Sequence, residues 1–201
     1  MNALTHPLPV NPTPILLAID IQQEYISKGR PYYLDGIEPA LDNCHRVLDH
    51  ARQNRWPVIH MRHLQDSHLF NEELPFSRFI EGFEPLAHEM VFTKHLFSCF
   101  SNAEFEALMD TTRHHPVYVM GFDAQMCCLS TVVDAMHRGL RLNFIGDASL
   151  GRATSLGDER QSYEWTKEIL AVYADIVDTE TVIGPASAYE DMPRQKVAAR
   201  R

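Results

Sequence analysis

The sequence predicts an α/β fold: a three-layer α/β/α domain around a mostly parallel, Rossmann-like sheet of about six strands. Three observations lead there. Apolar runs of strand length recur along the chain, and several are near-continuous, as strands covered on both faces must be. Amphipathic stretches of helical period separate most of them. With 201 residues there is room for one hydrophobic core without disulfide or metal staples.

The elements follow in chain order. "ILLAID" (15–20) reads as the first strand and ends on Asp20. A helix is expected over roughly 37–55, then a strand in "PVIHMRH" (57–63) and another in "MVFTK" (90–94), which ends on Lys94. The next helix, 101–114, opens with "SNAEFEALM", where Ser101 is placed to cap it and Glu104, three residues on, completes a capping box. "VYVMGF" (117–122) is the fourth strand and runs through Gly121–Phe122 into a helix over 127–138 that begins with two adjacent cysteines. Basic residues and then Gly139 in "HRGL" mark that helix's end. "LNFIGD" (142–147), a helix over 156–173 and "ADIVD" (174–178) complete the series. Strand and helix in alternation imply right-handed crossovers and parallel pairing.

Outside this core, residues 1–13 carry prolines and no Lys or Arg, and read as an extended arm rather than a signal peptide. The domain is assigned to 14–184 and a polar, basic tail to 185–201. Composition narrows the function. A formal net charge of −9 argues against a nucleic-acid partner and against an anionic membrane surface. No run approaches the ~20 apolar residues of a membrane span. The four cysteines, Cys44, Cys99, Cys127 and Cys128, show no Cys-x-x-Cys spacing and no disulfide framework, so free thiols in the cytoplasm are expected.

Open parallel sheets bind ligands beyond the carboxyl ends of their strands. Here three strand ends deliver a carboxylate (Asp20), an amine (Lys94) and a thiol (Cys127 or Cys128) to one rim. Each has a bland alternative: Asp20 as a turn former, Lys94 as a solvated loop lysine, the cysteines as small core residues. Their conjunction favours chemistry. A thiol near a helix start and an ammonium is expected to have a lowered pKa. Adjacent helical side chains diverge by about 100°, so only one cysteine can face the rim, and the residues alone do not say which.

Taken together, these residues resemble the isochorismatase-like cysteine hydrolases, among them nicotinamidase and N-carbamoylsarcosine amidase. "AIDIQQEY" matches the family's first-strand Asp followed by Gln and an aromatic, here Asp20, Gln22 and Tyr25. "TKHLFSCF" matches its lysine motif through Lys94, Ser98 and Phe100. "GFDAQMCCLSTVVDA" matches its nucleophile motif through Gly121, Cys127 and Asp134–Ala135, and the likeness runs from Pro14 to Ile183 through "RGLRLNFIGDASLGRA".

The resemblance implies a cysteine hydrolase that cleaves a C–N bond of a small amide or carbamoyl compound through a thioester. Cys127 would be the nucleophile, Asp20 the general base and Lys94 the orienting cation. The backbone N–H groups of Asp123 and Cys127 would form the oxyanion hole, with Gln22, Tyr25 and His63 against the substrate. Cys128 then takes the place of a core Val. A cis peptide is implied at Phe122–Asp123. Asp123 and Ala124 depart from the family's small residue and Thr, and the added carboxylate is expected to narrow the substrate range or repel anions. No metal is expected: nicotinamidases carry Asp-x-His here, whereas this chain has His60, His63 and His68, with His60 and His63 on opposite faces of a strand. No cofactor is required, and a homodimer or higher homo-oligomer is implied. The alternatives are a non-catalytic member that binds a metabolite or partner, and a vinyl-ether hydrolase of the isochorismate type, which lacks the cysteine. A nucleotide-binding Rossmann domain is disfavoured because no Gly-x-Gly-x-x-Gly follows the first strand.

Overall fold

The computed structural model describes residues 12–184. Six strands, β1 (Ile15–Ile19), β2 (Val58–His63), β3 (Met90–Lys94), β4 (Val117–Gly121), β5 (Asn143–Ser149) and β6 (Asp175–Val177), form one sheet in the order β3-β2-β1-β4-β5-β6. Every pairing is parallel. Five helices flank it: α1 (Glu38–Gln53), α2 (Ala103–Thr111), α3 (Leu129–His137), α4 (Glu159–Tyr173) and α5 (Thr179–Ile183). The expected arm and tail lie outside the described residues, apart from Pro12 and Thr13. Among the described residues no helix is long and apolar enough to cross a membrane.

The three layers follow from strand parity. Ile15, Leu17, Ile19, Ile59, Met61, Val117 and Val119 face one side and pack with Phe105 and Met109 of α2, Val132 and Ala135 of α3 and Leu170 of α4. Their neighbours Leu16, Ala18, Val58, Tyr118 and Met120 face the other and pack with Cys44, Val47 and Leu48 of α1 and Val182 of α5. All five residues of β1 are buried, which is why that strand reads as unbroken apolar sequence.

The start of α2 differs from the sequence reading. Asn102, not Ser101, caps α2: its side chain accepts from Phe105 N–H at 2.9 Å, while Ser101 ends a short turn over Cys99–Ser101 and donates to the Ser98 carbonyl. Asn and Ser cap about equally well, and the preceding turn shifts the start by one residue, so Glu104 closes no capping box. The crossover from β2 to β3 contains no α-helix. Residues 64–89 instead lie over the strand ends, buried through Phe70, Ile80 and Phe83. They are tied down where Arg30 pairs with the buried Glu24 at 3.0 Å, donates to the His68 carbonyl and covers the Phe76 ring at 4.2 Å.

Gly121 sets how closely the two central strands meet. Its φ is +122°, and a Cβ there would lie 2.0 Å from the Ile19 carbonyl oxygen, 2.8 Å from its carbonyl carbon and 2.9 Å from its nitrogen. No side chain fits without moving β1 away from β4. Gly121→Ala is therefore expected to destabilise the fold by about 3 kcal/mol or more, the scale of severe overpacking against backbone. Urea unfolding monitored by circular dichroism measures it; a midpoint equal to the wild type contradicts this account.

Candidate functional site

Four neighbouring strands, in sheet order β3-β2-β1-β4, deliver one functional side chain each at their carboxyl ends: Lys94, His63, Asp20 and Cys127. Lys94 and His63 are the last residues of β3 and β2 and face each other in register. Asp20 follows β1 in a left-handed conformation (φ +51°) that Asp tolerates better than most residues, and it turns the chain out of the strand. Cys127 lies in a π-helical turn, Ala124–Cys128, that precedes α3, so the helical run begins three residues before the expected start. The peptide Phe122–Asp123 is cis.

The Lys94 ammonium is the hub. Its Nζ lies 2.7 Å from Asp20 Oδ2, 3.1 Å from Cys127 Sγ and 3.1 Å from His63 Nδ1. All four side chains are buried, with exposures from 0 to 3%. The Asp20 contact is a close ion pair set off the hydrogen-bond direction, and neither Asp20 oxygen accepts a well-directed bond. That carboxylate is free to take a proton.

Burial raises the Asp20 pKa against the lowering pull of Lys94. Burial, then the Asp20 charge, raises that of Cys127, with Lys94 again opposing. Burial works against the charged form of Lys94, yet Asp20 and Cys127 outweigh it and keep the amine protonated. The expected low thiol pKa is thus corrected for the resting site. The ammonium is present, but dehydration and an adjacent carboxylate keep the proton on the Asp20–Cys127 pair. Burial, Lys94 and His95 push His63 down to about 3, so the imidazole is neutral.

Asp20, His63 and Cys127 also offer ligand atoms within 4.8 Å of one another, a spacing a metal ion could use. The Lys94 ammonium touches all three and already supplies the positive charge there. His60 points to the opposite face and bonds Glu89 at 2.9 Å, so the two strand histidines diverge as their parity requires.

The remaining candidates divide. Tyr25 is buried in an aromatic wall with Tyr32, Phe70 and Phe122, ring centroids 5.5 to 6.3 Å apart, and burial with the charges of Cys127 and Asp20 holds its hydroxyl protonated. Gln22 is not placed to hold a substrate. Its Nε2 donates to the carbonyls of His63 and Ser77 at 3.0 and 2.7 Å and its Oε1 accepts from His63 N–H at 2.8 Å, so its amide is spent on backbone. Asp123 is no free anion either: Oδ1 accepts from Gln125 N–H at 2.7 Å and Oδ2 pairs with Arg152 at 2.9 Å. Cys128 is fully buried in the core beside α3.

Four residues near the site are not among the sequence candidates. Arg152 neutralises Asp123 and covers the Tyr32 ring at 4.5 Å. Gln125 grips the backbone of Arg152 at both N–H and carbonyl. Thr131 accepts from Cys99 N–H and donates to the Cys127 carbonyl, joining the lysine loop to the nucleophile turn. Gln65 meets His63 Nε2 at 2.8 Å. Only Thr131, one helical turn after Cys127, has a spacing that could have flagged it. A cleft of about 600 Å³ lined by Arg52, Trp56, His88 and Met90 opens at the other end of β2 and β3, away from these residues.

The profile of the isochorismatase domain matches residues 14–181. YddQ of Bacillus subtilis strain 168, described as an isochorismatase family protein, is 27% identical over 179 residues, covering 85% of this chain and 99% of its own. Maleamate amidohydrolase of Pseudomonas putida is 27% identical over 144 residues, 64% of this chain and 68% of its own. The crystal structure of an isochorismatase from Pseudomonas putida KT2440 superposes with a TM-score of 0.76 at 32% identity, over 84% of this chain and 89% of that one.

The opposed charges on Cys127 generate a signed prediction for its alkylation by iodoacetamide, followed against pH by peptide mass mapping. Asp20→Asn removes a charge that raises the thiol pKa, so the labelling midpoint should fall. Lys94→Met removes the charge that lowers it, so the midpoint should rise. Each shift should reach about one pH unit or more, as for charges a few ångströms away. Shifts of the opposite sign contradict the assigned electrostatics.

Proposed function

The chain belongs to the isochorismatase family of hydrolases, and from that premise we propose that it is a cysteine hydrolase of small amides or carbamoyl compounds. The observation that carries this reading is the Lys94 ammonium within 2.7 Å of Asp20 and 3.1 Å of the Cys127 sulfur. Similarity to maleamate amidohydrolase, whose name denotes cleavage of an amide, supports C–N chemistry over other hydrolyses.

Asp20 takes the Cys127 proton as the sulfur attacks the carbonyl carbon, and Lys94 stabilises the developing thiolate. The proton has a short route, since the sulfur and a carboxylate oxygen of Asp20 lie within 4.8 Å of each other, and its transfer leaves the net charge of the cluster unchanged. The carbonyl oxygen becomes an oxyanion, held by the backbone N–H groups of Asp123 and Cys127; such donors are worth about 3 kcal/mol each. Asp20 passes the proton to the departing amine, leaving a thioester on Cys127. Water then gives a proton to Asp20 and its oxygen to the acyl carbon, and the carboxylic acid leaves as the thiol is restored. Tyr25 lines the acyl pocket, and the loop over residues 64–89 excludes bulk water. Every step is served by side chains and backbone of this chain.

An ammonia-release screen over small primary amides, carbamoyl compounds and nicotinamide tests the reading. Cys127→Ala should reduce turnover of any active substrate by at least about a thousandfold, the scale of nucleophile removal. Cys128→Ala should stay within about threefold of the wild type, since it changes only core volume. Equal losses in the two variants, or turnover that survives Cys127→Ala, overturn the assignment.

A further inference from the structure

We infer that His63 is a positioning residue for Lys94: its imidazole takes an ammonium proton and thereby fixes the cation between Asp20 and Cys127. The inference rests on the Asp20–Lys94–Cys127 reading above and adds a member to it.

Topology makes such a support necessary. Lys94 starts on β3, but its partners belong to β1 and to the turn after β4. β3 and β1 are separated by β2, a gap of about 9–10 Å at two strand spacings. The lysine side chain must cross over the end of β2 to reach Asp20. The residue at that end, in register with Lys94, is His63. A flexible four-carbon stem laid across a strand keeps its direction only if something holds its tip.

Proton counting then fixes the roles. An ammonium has three N–H groups. Two hydrogen-bond partners face Lys94 Nζ, Cys127 Sγ at 3.1 Å and His63 Nδ1 at 3.1 Å, and Asp20 Oδ2 pairs with it at 2.7 Å without a directed bond. Nδ1 is an acceptor only in the neutral ring, and both Lys94 and His95, the charged or titratable neighbours that bear on His63, favour that form. The ring proton must then sit on Nε2. The nearest atom there is Gln65 Nε2 at 2.8 Å; the two ends of an amide are interchangeable assignments, and this tautomer requires the oxygen on that side.

The imidazole is braced from three sides. Gln65 holds Nε2. Gln22 holds the His63 backbone at both N–H and carbonyl. Phe70 packs edge-on at 5.0 Å, and Phe97 lies parallel at 6.5 Å. This arrangement gives Gln22 its role, one step removed from the reacting atoms. The cation acts as a fixed charge on the thiolate, and the oxyanion depends on backbone donors.

The test reads the Cys127 labelling midpoint with iodoacetamide, which needs no substrate. His63→Leu removes the acceptor, whereas His63→Asn keeps a carbonyl oxygen near the Nδ1 position. His63→Leu should slow labelling below the midpoint about tenfold, a rise of about one pH unit, the scale of one lost hydrogen bond to a charged group. His63→Asn should lie within about twofold of the wild type on the same scale. Equal melting temperatures exclude a general loss of fold. Should His63→Leu not fold, Gln65→Leu, which frees the ring without removing it, should move the midpoint in the same direction by less. An unchanged midpoint in the folded variant, or His63→Asn shifted as far as His63→Leu, overturns the inference alone. Failure of Lys94→Met to move the midpoint overturns both this inference and the triad reading.

Discussion

A single ammonium group buried among a carboxylate, a thiol and an imidazole is the constraint on which the rest of this structure depends. Removing Lys94 and Asp20 from water costs several kcal/mol per ion, and their attraction roughly offsets that cost. The pair is therefore a poor source of net stability. Taking away one partner is another matter, since an uncompensated buried charge costs about 3–5 kcal/mol. The cluster is conditionally stable: each member is tolerable only while the others are present. That condition forces β1, β3 and the turn after β4 to converge, and the fold provides the convergence.

The sheet order shows how. Strand order reverses between β1 and β4, and the crossovers on either side leave that point uncovered at the carboxyl ends. Gly121 brings β4 against β1 where the reversal occurs, because its missing side chain leaves room for the Ile19 carbonyl. Asp20 turns out of β1 in a left-handed conformation, and the chain leaving β4 enters the π turn that carries Cys127. Loops then hold the parts. Thr131 ties the segment after Lys94 to the Cys127 carbonyl, and Gln125 and Arg152 tie the π turn to the segment after β5. The backbone around Cys127 is thus fixed by groups outside the buried cluster.

Much of this is legible in the sequence, for reasons that can be stated residue by residue. The strands announce themselves because both faces are buried: the apolar run 15–20 forms Ile15–Ile19, and the run 90–94 forms Met90–Lys94. Asp20 and Lys94 stand out because a charge at the end of an apolar strand is costly to bury unless a partner meets it. The choice of Cys127 over Cys128 comes from resemblance, since adjacent thiols carry no local mark of direction. What stays hidden depends on long-range partners. Gln22 looks like a substrate ligand because nothing local shows that backbone of β2 and of the loop near Ser77 will consume its amide. Asp123 looks like a free negative charge because Arg152 is far off in sequence. Ser101 and Asn102 are equivalent caps by type, and only the turn before α2 decides between them. The thiol pKa is misjudged because position near a helix start and an ammonium is visible in sequence, whereas burial and the carboxylate's approach are not.

That last point bears on why the site is built this way. Cys44, Cys99 and Cys128 are as deeply buried as Cys127, and burial raises the pKa of each, to about 12 for Cys99. Dehydration alone therefore favours the protonated thiol at all four cysteines, Cys127 included. What distinguishes Cys127 is a carboxylate with no directed hydrogen bond and an ammonium in direct contact with the sulfur. A permanently ionised thiolate would be open to oxidation and to any passing electrophile. In the mechanism proposed above, ionisation is coupled to proton transfer onto Asp20, so the sulfur becomes nucleophilic only as the carboxylate becomes neutral. The ammonium then faces a thiolate in place of a carboxylate, with the count of charges conserved. Because the cation cannot drift while that exchange takes place, the barrier carries little reorganisation. A low resting reactivity and a fast reaction in place are thus compatible, and both follow from where one lysine is held.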